Sequence, residues 1–190
     1  MTTSSARGVK ANRRTFTFLG GKFSRQLRTL KTQPEAVSSR MTRDIGQGGL
    51  LDVSLDPDFK TNKFVYFTYV KNVNEQGITV LSRSKLINNK IVDWQDLLLT
   101  KSSTNTNRHF GSRIAFDEEG HLFFSIGERG VRSNAQNLLN HSGSILRLNL
   151  DGTVPYDNPF VNNKNALNEI YSYGHRNPQG LFYDKNNKRL

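Results

Sequence analysis

The sequence predicts an all-β fold built from repeated strand–turn–strand units. Short runs of β-branched and aromatic residues are bounded by Asp, Gly and Pro turn chemistry, and helical periodicity is weak. One unit also recurs along the chain, placing Asp56, Asp117 and Asp184 at equivalent positions 61 and 67 residues apart.

Leu50–Asp56 opens the first unit and leads through Asp56-Pro57-Asp58 into Phe64–Val70, which is β-branched and aromatic almost throughout. Ile78–Ser84 reads as the next strand. The second unit runs from Ser112 through Arg113–Phe116, the turn Asp117-Glu118-Glu119-Gly120, and Leu122–Ile126. Ser144–Leu150 follows as a strand, ended by Asp151-Gly152. Asn134–Asn140 is the one stretch that reads as a helical turn. A third unit, Gly180–Asp184, passes through Lys185-Asn186-Asn187-Lys188 into Arg189-Leu190. Units of this length suggest four-stranded β-propeller blades, about three of them here, with a two-sheet sandwich as the alternative. The smallest usual propeller closes with about four blades. The expectation is therefore a basic flexible leader over residues 1–14 and an incomplete propeller over 15–190, a portion of a longer protein.

The composition suits one domain. The chain has 190 residues, 35% of them apolar, with 12 Phe, 6 Tyr and 1 Trp available for a core. No run approaches the roughly 18 apolar residues of a membrane span. The absence of Cys excludes disulfides, thiolate zinc sites and Cys nucleophiles. Net charge is +11, and residues 1–43 carry ten Lys/Arg against the single acid Glu35. A basic arm of this kind suits nucleic acid or anionic lipid, or is a solvated leader. No named nucleic-acid motif accompanies it, so a nucleic-acid partner is not expected. Met1–Arg14 lacks the apolar stretch of a secretory signal.

Four clusters carry candidate chemistry. Gly46-Gln47-Gly48-Gly49 places the Gln47 amide among glycines at a strand entrance, as a binding group or as a surface residue on a bend. In Arg108-His109-Phe110-Gly111-Ser112-Arg113, His109 sits before a strand, as a general base at a loop rim or as a satisfied structural residue. Ile126-Gly127-Glu128-Arg129-Gly130 ends the strand that pairs with the one after His109. Glu128 can thus approach His109 and fix its tautomer; otherwise Glu128 and Arg129 are surface charges on a turn. Tyr171–Gly180 contains His175-Arg176-Asn177-Pro178-Gln179, with a fixed cation and amide groups suited to a developing oxyanion. The four histidines show no metal-ligand spacing, and no EF-hand, nucleophile elbow or dinucleotide fingerprint occurs.

Residues Gly46–Phe59, His109–Phe116, Ile126–Gly130, Ser144–Phe160 and Glu169–Leu181, in this order and spacing, resemble the soluble pyrroloquinoline-quinone (PQQ)-dependent aldose sugar dehydrogenases of the glucose/sorbosone dehydrogenase type. The likeness covers about residues 44–190, and Gly20-Gly21-Lys22-Phe23 resembles the remnant of a first-blade hairpin. It implies a six-bladed propeller that oxidises the anomeric hydroxyl of an aldose to a lactone, with PQQ and Ca²⁺ as cofactors and an external electron acceptor. By this resemblance His109 is the general base, Glu128 its acidic partner where several relatives carry the shorter Asp, and Arg176 the group that stabilises the reduced quinone oxygen. Asn177 is implied as a cofactor ligand and Gln47 as a substrate-side residue. The family's calcium-binding and cofactor-carboxylate segments are expected beyond Leu190, so this stretch alone is not expected to be active. Such enzymes are typically periplasmic or secreted. A non-catalytic propeller fragment or interaction module is the competing expectation.

Overall fold

The structure is a computed structural model that describes residues 46–190. The expected basic leader and the Gly20–Phe23 hairpin lie outside the described residues.

Strand β1 (Leu50–Leu55) is followed by a single α-helical turn, α1 (Phe59–Asn62). Strands β2 (Phe64–Val73), β3 (Gln76–Ile87) and β4 (Lys90–Leu99) complete a four-stranded antiparallel sheet in the order β1-β2-β3-β4. Strands β5 (Ile114–Phe116), β6 (His121–Ser125), β7 (Ser144–Asn149) and β8 (Ile170–Tyr173) form a second sheet in the order β5-β6-β7-β8. Both sheets are simple meanders whose paired neighbours are consecutive in sequence. The third unit expected from the sequence is represented by the bridge Asp184↔Arg189.

The recurring Asp has a physical role. Asp56, Asp117 and Asp184 each accept the backbone N–H two residues on, at 2.8, 2.9 and 2.9 Å. Each also donates its own N–H across the turn, to Phe64, His121 and Arg189 respectively. The Asp side chain thus substitutes for a turn hydrogen bond and starts the second strand of each unit.

Strand β4 carries no clean alternation, because bulges interrupt its pairing with β3 at Leu81/Ser82 and Arg83/Lys85, and Asp93 takes φ +54°. The hairpins around β3 turn on Asn74-Glu75 and Asn88-Asn89, all four with positive φ. These are two-residue loops whose twist matches the strands they join. The expected helical turn at Asn134–Asn140 is instead a 3₁₀ turn over Arg132–Gln136. It stops because Asn137 is extended, and its side-chain oxygen accepts the Leu139 N–H.

A core of Tyr66, Leu81, Ile114, Leu122, Phe124, Ile126, Leu146, Leu148 and Ile170 draws on both sheets and joins them. Across this seam, the Tyr66 hydroxyl donates to the Leu150 carbonyl at 2.8 Å. The alternate residues Val65 and Phe67 pack on the opposite face with Val53, Leu55 and Trp94. Burial on both faces explains why Phe64–Val70 of β2 is apolar but for Thr68. At the edge of the interface β1 and β5 run side by side, where Asp52 Oδ2 accepts the Ile114 N–H at 2.9 Å. The candidate residues stand on segments next to these two strands.

Candidate functional site

The four candidate clusters converge. The segment 46–49 enters β1, the segment 104–112 enters β5, residues 126–130 leave β6, and residues 174–180 leave β8. Gln47 Oε1 accepts the His109 N–H at 2.8 Å, and Gln47 N–H donates to Asn107 O at 2.8 Å. Glu128 N–H donates to Arg176 O at 2.8 Å, and Asn177 Oδ1 accepts the Gly111 N–H at 3.2 Å. Gln47, His109, Glu128, Arg176 and Asn177 therefore belong to one interlocked set of loops. The Gln47 carbonyl end is spent on the His109 backbone, and its NH₂ end has no partner among the described residues.

Close packing here depends on Gly127. A Cβ at this position would lie 2.7 Å from the His109 carbonyl carbon, closer still to its oxygen, and 3.0 Å from Arg176 O. Only a glycine lets the backbones of residues 109 and 176 meet over residue 127. Arg113 ties the same segments from below, donating from Nε to Gln179 O at 2.9 Å and from Nη1 to Leu51 O at 3.1 Å. In the sequence Arg113 reads as a strand residue, because bonds with residues more than sixty positions away leave no local signal.

His109 Nδ1 is bonded to Glu128 Oε1. The longer Glu side chain thus reaches the imidazole. Glu128 is 2% exposed, which overturns its alternative reading as a surface charge on a turn. Burial alone raises its pKa, but the His109 hydrogen bond, the Gly130 N–H, and the charges of His109 and Arg176 outweigh burial and hold it below the usual carboxylate range. The carboxylate is ionised near neutrality and has no proton to give, so Nδ1 must carry the hydrogen. In the neutral imidazole the lone pair then resides on Nε2, as a base requires. His109 itself is held at φ +58°.

Arg176 is exposed, and its charge is felt at Glu128. The neighbouring His175 is held below its ordinary pKa by burial, and its Nε2 lies 2.9 Å from Ser172 Oγ. Arg129 also departs from a surface reading, being fully buried.

Among the described residues, one group of three His/Asp/Glu side chains comes within metal-binding reach: Asp117, Glu119 and His121. It does not fit calcium, which takes six to eight oxygen ligands. Both Asp117 oxygens already accept protein donors, and Arg147 Nη2 lies 3.2 and 3.3 Å from the two His121 ring nitrogens. The donors around His109 do suit a quinone bearing negative charge. Arg176 offers a guanidinium, and Asn177, with its oxygen engaged by Gly111, has an NH₂ group without a partner among the described residues. No helix among the described residues is long and apolar enough to cross a membrane. The basic segment 1–43 lies outside them.

The family profile described as Glucose / Sorbosone dehydrogenase matches residues 20–190. The aldose sugar dehydrogenase YliI of Escherichia coli is 39% identical over 140 residues, covering 72% of this chain and 38% of that protein. The crystal structure of the soluble aldose sugar dehydrogenase from Escherichia coli in its apo-form superposes with a TM-score of 0.73 at 35% identity, over 76% of this chain and 42% of the other. The quinoprotein glucose dehydrogenase B of Acinetobacter calcoaceticus is 30% identical over 172 residues, covering 76% of this chain and 35% of that protein. The PQQ-bound form of aldose sugar dehydrogenase from Streptomyces coelicolor superposes with a TM-score of 0.60 at 27% identity, over 73% of this chain and 39% of the other. The chain spans little more than a third of the length of these curated relatives.

Proposed function

The chain belongs to the glucose/sorbosone dehydrogenase family, and from that premise we propose that it carries the base side of a PQQ-dependent centre oxidising the anomeric hydroxyl of aldose sugars. The observation that carries the reading is the His109–Glu128 pair, with Nδ1 held by a buried carboxylate, set within loops shared with Gln47, Arg176 and Asn177.

The residues supply the parts such an oxidation needs. A C–H bond gives up hydride readily only as the attached hydroxyl loses its proton. His109 Nε2 takes that proton, and Glu128 stabilises the imidazolium that forms. PQQ, when bound, supplies the hydride acceptor. Arg176 offers a fixed cation to the negative oxygen that results, and the Asn177 NH₂ a directed donor. Gln47 presents its NH₂ to the substrate side. A base of this kind contributes on the order of 10²–10⁴-fold in rate. Calcium is the family's expected companion of PQQ, and we assign it no ligand among the described residues.

The fold reading that accompanies this is a six-bladed propeller with the two meander sheets as successive blades. Its support is the side-by-side placement of β1 and β5, the first strands of each sheet. In a propeller, first strands line the axis, and the loops entering them surround its mouth.

The test is dye reduction by the full-length protein with PQQ, Ca²⁺ and aldoses, alongside PQQ binding followed by absorbance. Turnover that requires PQQ and falls at least about 10²-fold in His109→Ala is expected. A chain that binds no PQQ is a non-catalytic interaction module instead, and full activity in His109→Ala removes that residue as the base.

A further inference from the structure

Arg129 is the largest fully buried side chain among the described residues, and no acid pairs with it there. Its guanidinium carbon lies 3.4 Å from the centroid of the Phe110 ring. Nη2 donates to Thr104 Oγ1 and to Thr106 O, both at 3.1 Å, and Thr106 Oγ1 donates back to Arg129 O at 2.7 Å. Nε and Nη1 have no partner among the described residues. Burial lowers its pKa to about 10, which leaves it charged at neutral pH.

As a stabilising device this is a poor choice. A buried cation without a carboxylate, with two of its three nitrogens unsatisfied, is a large desolvation penalty only partly offset by one aromatic face. An apolar side chain of similar volume suits such a place better. The geometry shows what the guanidinium grips. Thr104 and Thr106 precede His109, Phe110 follows it, and Glu128, the residue next to Arg129, holds the imidazole. His109 and Arg129 both have left-handed backbone, at φ +58° and +62°. Side chains of this size adopt it only where their surroundings impose it.

We infer that Arg129 is a positioning residue that clamps residues 104–110 from both sides of His109 and so sets the imidazole against the Glu128 carboxylate. The inference rests on the proposed role of His109 as the base, but its geometric core does not need the reaction. Arg129 reaches no substrate; it acts through the backbone at residue 109.

The experiment replaces the charge by an apolar chain of similar length, Arg129→Met, in the full protein with ¹⁵N-labelled histidine. The ring-nitrogen shifts of His109, assigned with His109→Ala, report whether one tautomer is held. In the wild type a single Nδ1–H form is expected. In Arg129→Met the melting temperature stays equal or rises, while His109 shows a mixture of tautomers. The turnover number falls roughly 10–100-fold, as for a reacting group moved by about 1 Å, with KM and the PQQ dissociation constant within about twofold. Arg129→Lys keeps the charge but not the planar stack, so it is expected to restore neither the tautomer nor the turnover.

A fall in melting temperature together with activity, or failure of Arg129→Met to fold, overturns the inference, because the residue is then merely structural. So does a Met variant that keeps the wild-type tautomer. If the wild type shows no PQQ-dependent turnover but Arg129→Met still releases the tautomer, the positioning role stands and the dehydrogenase reading falls.

Discussion

Gly127→Ala is the sharpest mutational probe of the site, because one methyl group addresses two functional segments at once. The added Cβ would stand 2.7 Å from the His109 carbonyl carbon and 3.0 Å from the Arg176 oxygen. These are backbone atoms and cannot rotate away. Ordinary carbon contacts begin near about 3.5 Å, so the backbones at residues 109 and 176 must part by roughly 1 Å. The strain of such overpacking is about 1–3 kcal/mol. The functional cost is larger than the strain suggests. Moving a base by about 1 Å relative to its partner groups costs on the order of 10²-fold.

The assay is steady-state dye reduction with an aldose in the PQQ-loaded full-length protein, with thermal unfolding measured in parallel. Gly180→Ala is the control, since a Cβ there meets nothing within 4 Å. The expected result is a drop in kcat of roughly 10²-fold for Gly127→Ala at a modest loss of melting temperature, and near wild-type values for Gly180→Ala. A Gly127→Ala enzyme within twofold of wild type would refute the reasoning, since the His109 and Arg176 segments would then not need their present spacing.

Glu128→Gln keeps the shape but removes the charge that fixes the tautomer, and kcat is expected to fall on the order of 10²–10⁴-fold; stopped-flow reduction with excess sugar checks it. Because the Glu128 carboxyl is held below its ordinary range, it contributes stability above its unfolded pKa that is lost as pH falls through the folded one. Acid unfolding of Glu128→Gln should therefore depend less on pH than that of the wild type. Asp96 accepts from Tyr69, Lys71, Ser82 and Trp94, and although burial raises its pKa these donors bring it from 3.8 to about 2. That contributes about 2 kcal/mol above pH 4, lost between roughly pH 4 and pH 2, a loss absent from acid titrations of Asp96→Asn. Arg113→Met cuts the bonds to Leu51 and Gln179, and hydrogen exchange should quicken at the His109, Gly111 and Glu128 amides while Phe67 and Leu146 stay protected.

The sequence was readable wherever a local rule set the outcome. Phe64–Val70 of β2 is almost wholly apolar because both its faces are buried, and Asp56, Asp117 and Asp184 repeat because each closes the same turn. β4 escaped because bulges against β3 shift its alternation, so its Trp94 and Asp96 did not read as strand residues. The hairpin turns at Asn74-Glu75 and Asn88-Asn89 lack the glycine that usually marks such loops. Within the site, glycine-flanked polar residues stood out in the chain. Gln47, His109, Glu128, Arg176 and Asn177 all fall on its interlocked loops. Arg129 did not stand out, because a charged residue after Glu on a turn is ordinarily solvated. Only the three-dimensional placement of Phe110 and Thr104 reveals that it is buried.

Positive φ occurs at ten non-glycine residues among those described, Lys63, Glu75, Asp93 and Lys188 included, and three of the ten lie on the loops of the site. Asn74, Asn88 and Asn89 have positive φ in hairpin turns, where Asn tolerates it at small cost. His109, Ser112 and Arg129 have it too, in segments that enter or leave strands of the second sheet and close no hairpin. Strain of roughly 1–3 kcal/mol per residue persists only where surrounding contacts impose it. Here those contacts are named: Gln47 on the His109 N–H, Ser125 Oγ on the Ser112 N–H, and the Thr106 hydroxyl on the Arg129 carbonyl. Three independent bonds hold three unfavourable residues within one loop pair. The core that joins the sheets is made of strand residues and their close neighbours. Of these bonds, the one from the His109 N–H to Gln47 bears directly on the residue whose imidazole meets Glu128.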